Sequence, residues 1–247
     1  MKEKIYTIPV NEAYDTDCEC PLCLLEKQLE TEAVDYALGA AMMEPDYRIE
    51  SNEKGYCAKH YSMMFKKPNK LSLALVLDTH LAEIRKKIEK YEKSAKNLSV
   101  GGLFSKNPVA AFNDSLCPVL DGINDGCMVC EKIDRTMERY IDVLLYMWAN
   151  DSAFRKKFDA SKGVCLPHFE ALCRASVKSL NKKEASEFVY ELCKKQNEEL
   201  ERVQEDIHKF TLKFDYRNAD MEWGTAKDAP IRTIEKIAGN IIKDEEE

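Results

Sequence analysis

The chain has 247 residues, 45% of them hydrophobic, which suffices for a packed core and argues against wholesale disorder. Lys and Arg number 37 against 44 Asp and Glu, and the formal net charge of −7 disfavours nucleic acid or an anionic membrane as the main partner. Nine glycines and eight prolines are few for a β-sandwich or barrel, whereas ten cysteines are many.

The opening, MKEKIYTIPVNEAYD, carries a lysine pair with no apolar stretch behind it, so no secretory signal is expected. The longest apolar runs, Leu71–Leu77 and Ile141–Trp148, fall well short of the ~20 residues that cross a bilayer. The expected location is therefore cytoplasmic, where cysteine clusters serve as metal ligands or redox centres more often than as disulfides.

Cys20-Pro21-Leu22-Cys23 is the first CxxC motif. Behind it, Leu25, Leu29, Ala33, Ala37 and Ala41 recur at helical spacing, widened by Leu24, Leu38 and Met42. Lys54-Gly55-Tyr56-Cys57-Ala58-Lys59-His60 follows, then a predicted helix over roughly Leu71 to Lys93 with Leu77, Leu81, Ile84, Ile88 and Tyr91 on one side. Residues 97–126, with four glycines and two prolines, read as a linker holding at most one helical turn near Pro108–Phe112. The pattern then recurs. Cys127-Met128-Val129-Cys130 leads into Ile133, Met137, Ile141, Leu144, Leu145 and Trp148, and next comes Lys162-Gly163-Val164-Cys165-Leu166-Pro167-His168. A longer helix is predicted over roughly Lys183 to Phe214, with Val189, Leu192, Val203, Ile207, Phe210 and Phe214 as a seam for a partner helix. The tail holds a Trp-Gly turn and, at Asp228-Ala229-Pro230, a helix start.

Cys20 and Cys127 lie 107 residues apart, and His60 and His168 lie 108 apart. A CxxC, a near-constant spacer and a KGxCxxH, twice, predict an internal repeat in an all-α chain. The expected segments are 1–96 (first CxxC/CxxH repeat), 97–126 (linker), 127–216 (second repeat) and 217–247 (a docking tail with a short helix and an acidic end).

A CxxC at a helix start brings two sulfurs within reach of one ion, and the helix N-terminus favours thiolates. In CxxH the two ligands, three residues apart, share a helix face. Three cysteines and a histidine make a soft tetrahedral set suited to structural zinc, with no position left for water. The expected metal ligands are Cys20, Cys23, Cys57 and His60 for one ion and Cys127, Cys130, Cys165 and His168 for a second. Spacing leaves open whether each repeat closes its own site or the CxxC of one meets the CxxH of the other. An iron–sulfur cluster uses the same ligand types, and a dithiol–disulfide redox role uses the same CxxC motifs.

Cys18 reads as incidental, because Asp125 stands at its counterpart; Cys173 and Cys193 read as core; Cys117 is uncommitted. His80 and His208 read as polar helix residues. No GxSxG, HExxH, P-loop or dinucleotide-binding pattern occurs, and the acidic residues fall on solvated helix faces. No catalytic residue is expected.

The residues CECPLC, KGYCAKH, GCMVC, KGVCLPH, FDYRN and WGTAKDAPIRTIEKIAG resemble an uncharacterised family of cytoplasmic proteins from anaerobic bacteria, known only as a domain of unknown function. The linker segment SLCPVLDGIND departs from that family's charged spacer. The resemblance covers nearly the whole chain and implies fold and motifs but no reaction. It also implies that the WGTAKDAP tail belongs to the module, with Trp223 and Arg232 docking near a metal site or simply packing. The function expected is that of a zinc-binding helical interaction module, meeting a protein partner or a second copy through helical surfaces. The alternatives are a thiol-based redox or metal-sensing protein and a metal-dependent enzyme.

Overall fold

In the computed structural model of the protein, residues 4–96, 98, 107–218 and 220–240 are described, and among them there are helices and no strand. The α-helices in chain order are α1 (Thr7–Tyr14), α2 (Pro21–Leu38), α3 (Pro45–Lys54), α4 (Ala58–Lys66), α5 (Lys70–Ala95), α6 (Pro108–Asn124), α7 (Met128–Asn150), α8 (Ser152–Ala160), α9 (Leu166–Ser179), α10 (Lys182–Leu212) and α11 (Ala229–Ala238). None of them is long and apolar enough to cross a membrane. The expected all-α architecture is what the chain adopts.

α2–α5 and α7–α10 follow one order. A helix opens inside the CxxC, a short helix follows, a third starts at the CxxH cysteine, and a long helix starts behind an asparagine cap. Asn69 accepts from the Ser72 N–H. Asn181 accepts from Lys183 and Glu184, and Glu184 reaches back to the Asn181 N–H to complete a capping box.

The chain divides into two compact units, Met1–Gln28 with Arg135–Glu247, and Leu29–Asp134. These do not coincide with the segments read from the sequence. In the unit Leu29–Asp134, α5 packs on α3, α4 and α6. Arg48 of α3 donates to Thr79 Oγ1 (2.8 Å), Thr79 donates to Asn52 Oδ1 (2.7 Å), and His80 Nδ1 donates to the Asn52 carbonyl (2.8 Å). In the other unit, α10 packs on α9 and α11. Its aromatic core pairs Trp148 with Phe188 (5.0 Å), Phe158 with Phe188 (5.8 Å) and Tyr14 with Phe154 (5.1 Å).

Several expectations are corrected. The buried side of α5 carries Leu73, Val76 and His80, while Leu77, Leu81 and Ile88 are exposed. Two registers of the same apolar run fit helical spacing, and the contacts with α3 select the one with fewer leucines. Residues 108–124 form a helix of 17 residues where at most one turn was expected. Its start matches the sequence signal, because Asn107 caps it and Pro108 sits where a missing N–H costs nothing. The remainder of the 97–126 segment up to residue 106 lies, apart from residue 98, outside the described residues. Cys193 is exposed rather than core, although its neighbour Leu192 is buried.

Candidate metal centres

Each CxxC opens a helix. Cys20 precedes α2, whose first residue is Pro21, and the Cys23 N–H donates to the Cys20 carbonyl (3.1 Å). Cys57 and Cys165 cap α4 and α9 with near-identical backbone angles (φ −71, ψ 165 and φ −73, ψ 163), placing each histidine one turn inside its helix. The glycines two residues earlier take φ +66 and φ +71, the left-handed region that a side chain disfavours. A Cβ on Gly55 would also overlap the His80 ring, and one on Gly163 would meet Gln196 Oε1 at 3.3 Å. The long helix that follows each CxxH therefore holds its turn in place.

Two clusters result: Cys20, Cys23, Cys165 and His168, and Cys57, His60, Cys127 and Cys130. All eight expected residues take part, but each CxxC joins the CxxH of the other repeat, so the within-repeat grouping is corrected.

Within each cluster the four ligand atoms lie within 4.8 Å of one another. In the first, His168 Nδ1 stands 3.1 Å from Cys165 Sγ, 3.4 Å from Cys23 Sγ and 3.5 Å from Cys20 Sγ, and the Cys23 and Cys165 sulfurs are 3.5 Å apart. In the second, His60 Nδ1 stands 3.1 Å from Cys127 Sγ, 3.2 Å from Cys57 Sγ and 3.5 Å from Cys130 Sγ, with the Cys57 and Cys130 sulfurs 3.9 Å apart. Zinc–sulfur bonds of ~2.3 Å and zinc–nitrogen bonds of ~2.0 Å give tetrahedron edges of roughly 3.5–3.8 Å. The separations given above, 3.1–3.9 Å, lie near those edges, and each cluster could hold one metal ion.

The electrostatics reflect four donors turned on one point. Burial raises Cys127, yet hydrogen bonds from His60 and from the Cys130 N–H bring its thiol down to about 6. Burial and the Cys127 thiolate push Cys130 up. Cys20 is held below its ordinary value against burial by Cys165, Cys23 and His168, and Cys23 is pushed up by Cys165 and Cys20. Burial works against protonating His60 and His168, but thiolate contacts, joined at His60 by Glu30, push both up to about 10.

The chain matches the family described as "Family of unknown function (DUF6062)" over residues 1–244. It belongs to that family. No curated protein and no solved structure matches this DUF6062 chain.

Three contributors were not legible in the sequence. Glu30 Oε1 lies 2.9 Å from His60 Nε2, fixing which ring nitrogen faces the sulfurs. It sits seven residues after Cys23 on α2 and looks like any acidic surface position. His80, read as a polar helix residue, is buried against the Gly55 turn. Lys236 of α11 is fully buried, whereas Ile234 and Ile237 of the same helix are exposed, the reverse of a hydrophobic-face reading. Arg232 pairs with Asp206 (2.9 Å) and approaches Glu19, next to Cys20, while Trp223 packs on Phe210 (5.4 Å). Cys18 is half-buried, its thiol pushed up to about 11 by burial and by Cys20.

Proposed function

We propose that the protein is a zinc-braced helical module that binds two ions, one at Cys20, Cys23, Cys165 and His168 and one at Cys57, His60, Cys127 and Cys130, and presents its helices to a protein partner. The observation that carries this reading is the size and composition of the two clusters: three sulfurs and one imidazole nitrogen, mutually within 4.8 Å, drawn from segments 67 to 148 residues apart. A polynuclear iron–sulfur cluster interposes iron and sulfide between its ligands and spreads the thiolates, whereas the close spacing of these donors favours a single ion. Four protein ligands leave no coordination position for water or substrate, which favours a structural over a catalytic ion.

Zinc would supply folding free energy here, because each ion ties a CxxC segment to a CxxH segment far from it in the sequence. The cytoplasm, with its reduced thiols, suits such sites. The −7 charge favours a protein partner over nucleic acid.

Thermal unfolding of protein purified without added metal, before and after chelation, tests the reading. Chelation is expected to lower Tm by well over 10 °C and zinc to restore it; an unchanged Tm with zinc absent would contradict it. Cys23→Ser should reproduce the effect of chelation at one centre.

A further inference from the structure

The two centres are built alike at their ligands and differently around them. At the centre of Cys57, His60, Cys127 and Cys130, the ligand-bearing turns bond directly: the Met128 N–H donates to the Gly55 carbonyl (3.2 Å). The position equivalent to Met128 in the first CxxC is Pro21, which has no N–H to give. There the bridge comes from α11. Lys236 Nζ, on a side chain 0% exposed, donates to the Glu19 carbonyl (2.8 Å) and to the Lys162 carbonyl. Glu19 immediately precedes Cys20 and Lys162 stands three residues before Cys165, so one ammonium staples the two ligand turns together.

The residues after α11 complete the cover. Gly239, at φ +83, comes so close that a Cβ there would stand 3.5 Å from Cys165 Sγ and 3.7 Å from Cys23 Sγ. Asn240 Nδ2 donates to the Cys23 carbonyl (2.8 Å) and to Glu26 Oε2 (2.9 Å). The three cysteines of this centre are all buried. At the other centre Cys57 and Cys130 are only half-buried, while Cys127 and His60 are buried.

We infer that the two metal ions have different lifetimes: the segment Lys236–Asn240 locks the ion of Cys20, Cys23, Cys165 and His168, and the ion of Cys57, His60, Cys127 and Cys130 is the exchangeable one. This rests on the zinc reading above. Ligand exchange at a four-coordinate ion needs an incoming donor to reach the metal. Cysteines that are only partly covered admit a chelator or an acceptor protein's thiolate, and a backbone seated on the sulfurs does not. Lys236 is a positioning residue, acting through the turns that carry Cys20 and Cys165.

The test follows zinc transfer from the full-length zinc-loaded protein to excess 4-(2-pyridylazo)resorcinol. Two phases of one ion each are expected, separated by about tenfold or more, and Lys236→Met should speed only the slow phase by a similar factor, the scale on which outer partners tune metal sites. Pulse alkylation of the unaltered chain with N-ethylmaleimide, read by peptide mass spectrometry, needs no variant and should mark Cys57 and Cys130 before Cys20, Cys23 and Cys165. Two ions leaving in one phase, or equal alkylation of both sets, would overturn the inference while leaving the zinc reading intact. A chain that binds no ion would overturn both.

Discussion

His60 shows how much one side chain can be asked to do. Its Nδ1 faces three sulfurs and its Nε2 faces Glu30, itself paired with Lys59. Burial alone would raise the Glu30 carboxyl, but His60 and Lys59 hold it below its ordinary value, so it stays an anion that orients the ring. Glu30→Gln should weaken metal binding at that centre by about 10- to 100-fold and leave the other unchanged, as read by competitive chelator titration. The pH dependence follows from the ligands. Metal binding expels protons from the thiols and from imidazoles raised to about 10, so affinity falls as pH falls. Cys127, brought down to about 6, sheds its proton before the raised Cys130 does, and acidifying below about 6 adds it as a further proton competitor. Zinc release measured between pH 8 and 5 should steepen over that last unit; a flat profile would contradict the ligand assignment. The ligand types and their spacing were readable from the sequence because CxxC and CxxH are local patterns. Glu30 and Lys236 were not, since their partners come from other segments of the chain.

At the scale of elements, legibility tracked how many registers a segment allowed. The apolar positions after Cys130 (Ile133, Met137, Ile141, Leu144, Leu145 and Trp148) define a single stripe, and all are buried on α7. The leucine-rich start of α5 allowed two stripes, and the choice belonged to α3. α11 inverted the usual rule by burying Lys236 while exposing two isoleucines, because Lys236 meets the Glu19 and Lys162 carbonyls and the Glu19 carboxylate. Two stability predictions belong here. Leu22, a fully buried residue of the first CxxC, should cost roughly 2–5 kcal/mol when replaced by Ala, measured by denaturant unfolding of the metal-loaded protein. Asn181→Ala removes the capping box of α10 and should cost about 1 kcal/mol by the same measurement, with both metal sites still loaded.

Over the whole molecule, the recurring CxxC and CxxH motifs pointed to eight candidate residues but not to which four meet. Each CxxC sits at the start of a helix of 18 or more residues, and only the folded path decides which CxxH returns to it. On the proposed reading each ion would tie a CxxC segment to the CxxH segment of the other motif pair, so loss of either ion should be felt in both. The two clusters account for six of the ten cysteines. The most direct test is elemental analysis of the protein purified anaerobically without added metal, alongside its visible spectrum. Two zinc ions per chain and no colour are predicted; a metal-free protein, or iron with a brown spectrum, would contradict the account.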